Sequence, residues 1–563
     1  MRAMIVLAGL PGAMLLVGCL ASPAAPPITI GMADETIAAN KISGADTIEI
    51  DSARDAGLDD TRIDVVISPA GDVTDARISY PGGGGSGDAA LLAAARQWKF
   101  RPFLYAGRPV TATGRIGITQ RLKPIWENPA APFPAIDYDH LKIELIRSAC
   151  FGSCPDYRVT IDGAGEVLFS TRDAPADPVS GLHRRFAFGS GVLIGGVHRA
   201  KIDRATLDAL IGKFRQARFF GLRKSYDYPV TDNPTQVVGF ASGKSAMTVT
   251  DYVGDAAGLP PDAKALEKAI DDAAGTARWV TGDGETLAAL KAEGFDPAGP
   301  EAADLAMAAL TAKSDQLVLD LIAAGLPLDR LYASPREGDA KAPLGATLLA
   351  TAVERGRPRV ARALIDRGWA TKADRRMLQA AFVKGGGGCD LKVAQALVGA
   401  GVDPRTAPPP VTPPGTAVDK KIAAVMAEAA EAIGGDQPTA LGEVADQYSS
   451  CEGSPADRQE LVRGLIALGA DINARDSVGR TLLYGLESPA LVDFLLASGA
   501  RADVKDNKGL SPAFGTWTDE IVLRLLDAGA DPNGKEDGKT LRQIAVEHNM
   551  PGTLAWLKAR GIK

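Results

Sequence analysis

From residue 62 the chain alternates apolar and polar positions in short runs. Arg62-Ile63-Asp64-Val65-Val66-Ile67 sends every second side chain the same way, the period of a half-buried strand. Pro69-Ala70-Gly71-Asp72 is turn chemistry, and Val73 to Tyr80 reads as a second strand, so the two predict a hairpin. Residues 81–87, PGGGGSG, predict a flexible loop. Asp88 to Gln97 is Ala/Leu-rich and predicts a helix. Trp98-Lys99-Phe100-Arg101-Pro102, a Gly107-Arg108-Pro109 turn and a last strand from Val110 to Leu122 follow. The order β-β-α-β defines a small α+β unit over residues 46–124, with Trp98, Phe100 and Phe103 expected in its core.

A second α+β unit is predicted over residues 138–280. Leu141 to Ile146 alternates like a strand, and Arg158–Ile161 and Glu166–Ser170 flank the Asp162-Gly163-Ala164-Gly165 turn. Helices are expected at 203–217, with Leu207, Leu210, Ile211 and Phe214 on one face, and at 262–273. Over residues 283–563 the period changes. Apolar helical runs end in glycine at positions 294, 325, 368, 401, 469, 499, 529 and 561, spaced 31, 43, 33, 68, 30, 30 and 32 apart. Such a glycine takes the left-handed conformation that closes a helix C-terminus. Repetition at this period predicts an all-α solenoid of stacked hairpins. The wide spacings hold an extended loop at 330–344, and a Pro-rich insert with an Ala-rich helix at 417–433, the insert as a whole covering 404–436.

Three resemblances follow from these residues. The Ile67-Ser68-Pro69-Ala70-Gly71 turn, the Ala-rich helix running into WKFRP, and GRPV before the last strand resemble the TonB C-terminal domain. That resemblance implies a periplasmic domain that holds an extended peptide at a sheet edge. Energy transduction would also need an inner-membrane helix and a long linker, which the chain does not have, so that activity is not implied. Cys150-Phe151-Gly152-Ser153-Cys154-Pro155-Asp156-Tyr157, with Thr231-Asp232-Asn233-Pro234-Thr235, resembles an uncharacterised domain of exported bacterial proteins. Gly345-Ala346-Thr347-Leu348-Leu349-Ala350-Thr351-Ala352, Gly469-Ala470-Asp471-Ile472-Asn473 and Gly529-Ala530-Asp531-Pro532-Asn533 resemble ankyrin repeats, although Tyr484 and Phe514 stand where the family has His. The expected fold is therefore multidomain: a TonB C-terminal-like α+β domain, a second α+β domain and an ankyrin-repeat solenoid.

The N-terminus is an address. Residues 1–18 carry Arg2 and a short apolar run, the pattern of a secretion signal. Leu16-Val17-Gly18-Cys19 resembles a bacterial lipobox, which implies lipidation of Cys19; plain cleavage nearby, after the Ala-Ser-Pro-Ala-Ala run, is the alternative. Leu20 after the cysteine leans toward the outer membrane, facing the periplasm. Residues 19–45 are expected to be a tether. With Cys19 lipidated, Cys150, Cys154, Cys389 and Cys451 remain, an even number in an exported chain. Proximity favours Cys150–Cys154. Cys389 and Cys451 occupy the same loop of two repeats, the second just before a Ser454-x-x-Asp457 capping box, so their pairing would staple the stack across the insert.

Candidate chemistry changes little. The net charge of −7 and the lack of a Lys/Arg block with interleaved aromatics argue against nucleic acid. His140, His183, His198 and His548 have no metal-ligand spacing, and no nucleophile elbow or Walker loop occurs. Gly82–Gly85 and Gly385–Gly388 lack a following Lys-Ser/Thr and are expected to be flexible loops. Arg147 and Tyr157 could ring an acidic ligand or be a salt bridge and a core tyrosine. No catalytic residue, metal or cofactor is expected. The expected function is a non-catalytic envelope lipoprotein that binds a protein or peptide partner and meets the membrane through its lipid. The alternative is a thiol-redox or hydrolytic enzyme centred on residues 138–280.

Overall fold

The structure, a computed structural model, describes residues 28–50, 61–80, 88–152, 154–171, 191–333, 341–405, 440–445, 451, 454–476 and 478–562. The signal sequence, Cys19, the 81–87 glycine run, His183, most of the insert and the helix expected at 417–433 lie outside those residues. The chain is multidomain, with a mixed α/β N-terminal part and a helical C-terminal region.

The first domain comprises β1 (Thr29–Gly31), α1 (Asp34–Asn40), β2 (Lys41–Ser43), β3 (Thr47–Ile50), β4 (Thr61–Ile67), β5 (Val73–Tyr80), α2 (Asp88–Arg96), β6 (Lys99–Phe100), β7 (Leu104–Tyr105), β8 (Arg108–Pro109) and β9 (Thr111–Leu122). The sheet order is β1-β9-β4-β5. β4 and β9 pair antiparallel from Thr61↔Ile118 to Ile67↔Ala112. Ile63, Val65 and Ile67 point to the core with Trp98, Phe100 and Phe103, while Arg62, Asp64 and Val66 face outward.

The tether expected over 19–45 does not hold from Ile28 onward; residues 19–27 lie outside the described residues. From Ile28 the chain is folded: β1 pairs parallel with β9 at Thr29↔Thr111, and β3 pairs parallel with its far end at Thr47↔Thr119. Ile30, Met32 and Ile37 are buried. A three-residue strand beside an Ala/Pro-rich stretch has too few positions to show a period, so its burial comes from distant partners. One long edge of the sheet is thus covered by the chain's own N-terminal segment, and β5 is the outer strand on the other side.

The second domain comprises β10 (Lys142–Arg147), β11 (Tyr157–Asp162), β12 (Glu166–Thr171), β13 (Val197–Lys201), α3 (Arg204–Gln216), β14 (Ser225–Asp227), β15 (Gln236–Ser242), β16 (Ser245–Tyr252), α4 (Pro261–Ala274) and α5 (Ala277–Val280). Seven strands run in the order β13-β12-β11-β10-β15-β16-β14. Leu207, Leu210, Ile211 and Phe214 of α3 are buried, as their spacing predicts. Asp203 caps α3 by accepting the Thr206 N–H.

The helical region contains α6 (Thr286–Ala292), α7 (Glu301–Thr311), α8 (Asp315–Ala323), a small hairpin of β17 (Leu331–Ala333) and β18 (Lys341–Pro343), α9 (Leu344–Glu354), α10 (Pro358–Ile365), α11 (Trp369–Lys372), α12 (Arg375–Lys384), α13 (Leu391–Gly399), α14 (Ala440–Ala445), α15 (Pro455–Ala467), α16 (Pro489–Ala497), α17 (Asp519–Asp527), α18 (Leu541–Glu547) and α19 (Pro551–Ala559). The eight glycines that end the apolar runs all have positive φ, from 67° to 103°. The capping box at Ser454 and Asp457 is formed, each side chain bonding the other's backbone N–H.

The Gly385–Gly388 run corrects the expectation of a flexible loop. All four glycines are buried. A Cβ at Gly385 would stand 1.9 Å from the Val353 carbonyl oxygen, and one at Gly388 would stand 2.8 Å from Val393. The run is glycine because backbone and side chains of α9 and α13 approach where side chains would be.

The chain closes on itself. One hydrophobic core runs without a break from Ile143 of the second domain through the helical region to Leu557. The core of the first domain takes in Leu523 of α17 and packs against Trp556 of α19. The linker after β9 is pinned to the second domain by Ile125 N–H donating to the Gly258 carbonyl at 2.9 Å and by Tyr226 Oη donating to the Ile125 carbonyl at 2.6 Å. The first domain therefore touches both the second domain and the last helices.

Candidate functional site

This closure leaves a cleft of about 1440 Å³ between the outward face of the first sheet and the helical region. One wall carries Arg62, Asp64, Arg77 and Arg115 from β4, β5 and β9. The other carries Arg458, Arg480, Tyr484 and Trp517. The sheet wall is polar because strand alternation puts its charged positions on the face away from α2. Asp64 stands opposite Arg77 on β5 and Arg115 on β9, and accepts from Arg77 at 3.0 Å. On the helical wall the Trp517 ring stacks on His548, centroids 4.8 Å apart and planes within 6°. Trp517 is 63% exposed, so its apolar face is open to a ligand.

The floor is a clamp made by α17. The Asp519 carboxylate accepts from Gly31 N–H at 3.0 Å, Gly552 N–H at 2.8 Å, Thr553 N–H at 2.7 Å and the Thr553 hydroxyl at 2.6 Å. It ties β1 to the last helix and caps the N-terminus of α19, whose own N-cap Met550 has no side chain to do so. Glu520 accepts from Ala33 N–H at 3.0 Å and pairs with Arg524 at 2.9 Å. Asp527 receives both Tyr105 Oη and Trp556 Nε1 at 2.7 Å. Burial, with the bond to Asp527, pushes the Tyr105 hydroxyl up to about 12, so it stays a donor.

The second domain holds a separate polar cluster at one end of its sheet. Arg147 Nη2 pairs with Asp271 at 2.9 Å, and Tyr157 Oη donates to Asp271 at 2.6 Å. The two residues that could have ringed an acidic ligand are instead held by a carboxylate of α4. Next to them Lys264 bonds Asp251 at 2.6 Å and Glu267 at 3.2 Å. Burial, reinforced by the hydrogen bond that the protonated Glu267 carboxyl donates to Asp251, raises the Glu267 carboxyl to about 8 although Lys264 pulls it down. Folded, this group keeps its proton far above the ordinary 4.5 at which the unfolded chain releases it. Stability must therefore fall as pH rises from about 4.5 to about 8, because the unfolded state binds fewer protons over that range. Glu267→Gln is expected to flatten the dependence of melting temperature on pH and to melt a few degrees above the parent at pH near 9. Parallel curves for the two proteins would count against it.

Cys150 and Cys154 stand at disulfide distance, Cα atoms 5.5 Å apart, as do Cys389 and Cys451, at 5.1 Å. The second pair joins the loop between α12 and α13 to the approach to α15. Cys19 lies outside the described residues. Among those residues no group of three or more His, Cys, Asp or Glu side chains could hold a metal, and no helix is long and apolar enough to cross a membrane. Sequence reasoning missed the cleft. Trp517 and His548 carry no periodic signal, and Gly31 and Asp519 lie 488 residues apart.

Comparison with known proteins places names on two segments. Residues 51–121 match the Gram-negative bacterial TonB protein C-terminal family, and residues 141–274 match a domain of unknown function, DUF6438. No curated protein matches the chain. Among solved structures, the crystal structure of the ankyrin repeat domain of Bcl-3, a unique member of the IkappaB protein family, is similar. It is 18% identical over 39% of this chain and 81% of that one, with a TM-score of 0.24.

Proposed function

We propose that the protein is a non-catalytic binding scaffold of the cell envelope, anchored through a lipid on Cys19, with a C-terminal array of ankyrin type. Its partner is a polypeptide, and the cleft is where it binds. The observation that carries this reading is the cleft itself: about 1440 Å³, more than a small-molecule pocket of roughly 300–1,000 Å³ requires, walled by two kinds of interaction module. An open Trp517 provides the sort of aromatic anchor on which binding energy concentrates. The thiol-redox alternative has less support. Activated thiols sit at helix N-termini or beside cations, whereas Cys154 leads into a strand, β11.

A photo-crosslinking residue at position 517 in living cells tests the proposal, with one at Leu331, also exposed, as control. A discrete protein adduct from position 517, absent from position 331, is expected. The same adducts from both positions, or none from 517, would overturn the scaffold reading.

A further inference from the structure

We propose that the β7–β8 hairpin and the residue before β1 lie against an anionic lipid surface, Leu104 and Ile28 entering the bilayer interface and the arginines beside them meeting headgroup phosphates. This rests on the lipid anchor of the scaffold reading and adds the face by which the folded protein meets the membrane. The first ground is reach. Ile28, where the described fold begins, lies nine residues after Cys19. Fully extended, those residues span at most about 30 Å. A lipid on Cys19 therefore keeps the end of the fold from which Ile28 emerges close to the bilayer.

The second ground is what stands at that end. Thr111 N–H donates to the Ile28 carbonyl at 3.0 Å, and Val110 N–H to the Phe103 carbonyl at 2.9 Å, so β1, the start of β9 and the hairpin meet there. Leu104 is 61% exposed and Ile28 46%, while Phe103 and Val110 between them are buried. Single exposed apolar side chains are ordinary on a protein surface. These two flank the point from which the chain leads back to its anchor, and one of them sits on a fixed support. Leu104 faces Pro109 and Tyr105 faces Arg108 across a two-residue turn, with Ala106 and Gly107 at φ of 48° and 74°. Tyr105 ties the hairpin to the helical region through Asp527. A hairpin already held in one conformation loses little freedom on entering an interface.

Charge at this end suits lipid phosphates. Arg101, Arg108 and Arg560 are exposed, and Arg560 stacks on Trp556 at 3.8 Å from the ring centroid. Arg108 makes no ion pair or side-chain hydrogen bond with a described residue. Asp527, the carboxylate between the hairpin and Trp556, is occupied by Tyr105 and Trp556 as donors. The chain as a whole carries −7, so the attraction is a property of this end and not of the net charge. An arginine can lay its stem along apolar surface and keep its head at the phosphates. Ile28, Arg101, Leu104 and Arg108 do not line the cleft, so contact with lipid leaves it open to a partner. From this end β9 runs twelve residues to the linker of the second domain. That is roughly 35 Å, which sets the second domain off from the lipid contact.

The test uses the full-length acylated protein with an environment-sensitive fluorescent amino acid at position 104, and at Leu331, also exposed, as control. The protein is reconstituted on vesicles of phosphatidylethanolamine and phosphatidylglycerol. A blue shift of emission at position 104, absent at 331, is expected. Arg101→Glu combined with Arg108→Glu should lose most of that shift and still float with the vesicles through its lipid. Both arginines are exposed, so the double variant should keep the parent's circular dichroism spectrum. Emission at 104 that stays that of water while the protein floats, equal shifts at 104 and 331, or an unaffected double variant would overturn the proposal and leave the anchor standing. A protein with Cys19 intact that does not float with the vesicles would overturn the anchor, and the lipid-facing end with it.

Discussion

Asp519→Ala is expected to release the first domain from the helical region and to cost on the order of 3–5 kcal/mol, because hydrogen bonds to a buried charge are strong and their loss leaves donors unsatisfied. Asp519 is 3% exposed. Its removal strands the N–H groups of Gly31, Gly552 and Thr553 and the Thr553 hydroxyl. Water cannot easily replace it, since Ile30, Leu523 and Gly552 crowd the same point. Asp519→Asn should recover little, because an amide turns two donors toward a site that already holds four. Glu520→Ala should cost less, as it removes one bond to Ala33 and a partly exposed pair with Arg524. The measurements are a melting curve and small-angle scattering. A lower melting temperature together with a larger radius of gyration is expected. An unchanged radius would mean that the apolar contacts of Leu523 and Trp556 hold the domain without the carboxylate.

The same clamp shows where the sequence stopped being legible. β4, β5, β9, α3 and α4 follow from local alternation or helical spacing, and the structure has them within a residue or two of their expected ends. The cores agree as well: Trp98, Phe100 and Phe103 are all buried. What failed has a common cause. Residues 28–50 pack because of β9, α17 and α19, so nothing local marks them as folded. The pairing of Arg147 with Asp271, 124 residues away, was open between two readings for the same reason. The cleft depends on two surfaces whose residues lie more than 300 positions apart in sequence, from Arg115 on the sheet to Val444 and Arg458 in the helical region. Composition reports that charges exist, and topology decides which stay unpaired.

Glycine makes the contrast sharpest, because one residue type serves two purposes in the helical region. Gly385→Ala is expected to destabilise by on the order of 3 kcal/mol or more, at the upper end of overpacking costs. Its φ of −104° suits any residue, so the penalty is steric: the new methyl would meet the Val353 carbonyl oxygen at 1.9 Å and Glu354 Cα at 2.8 Å. α9 and α12 would have to separate, and with them the buried run that leads to Cys389. Gly529→Ala is the reverse case. Nothing lies within 4 Å of its added methyl, and the cost comes from a φ of +99°. That should be roughly 1–2 kcal/mol, the penalty for a side chain in left-handed backbone. Denaturant unfolding of both variants measures the difference, and thiol titration sharpens it. With a mild thiol reductant present, the Cys389–Cys451 disulfide of Gly385→Ala should open to titratable thiols at a lower reductant concentration than in the parent, whereas that of Gly529→Ala, more than 70 residues from either cysteine, should not. Equal losses in the two variants would mean that the helices yield freely at the glycine run, and that its burial reflects composition more than a required close approach.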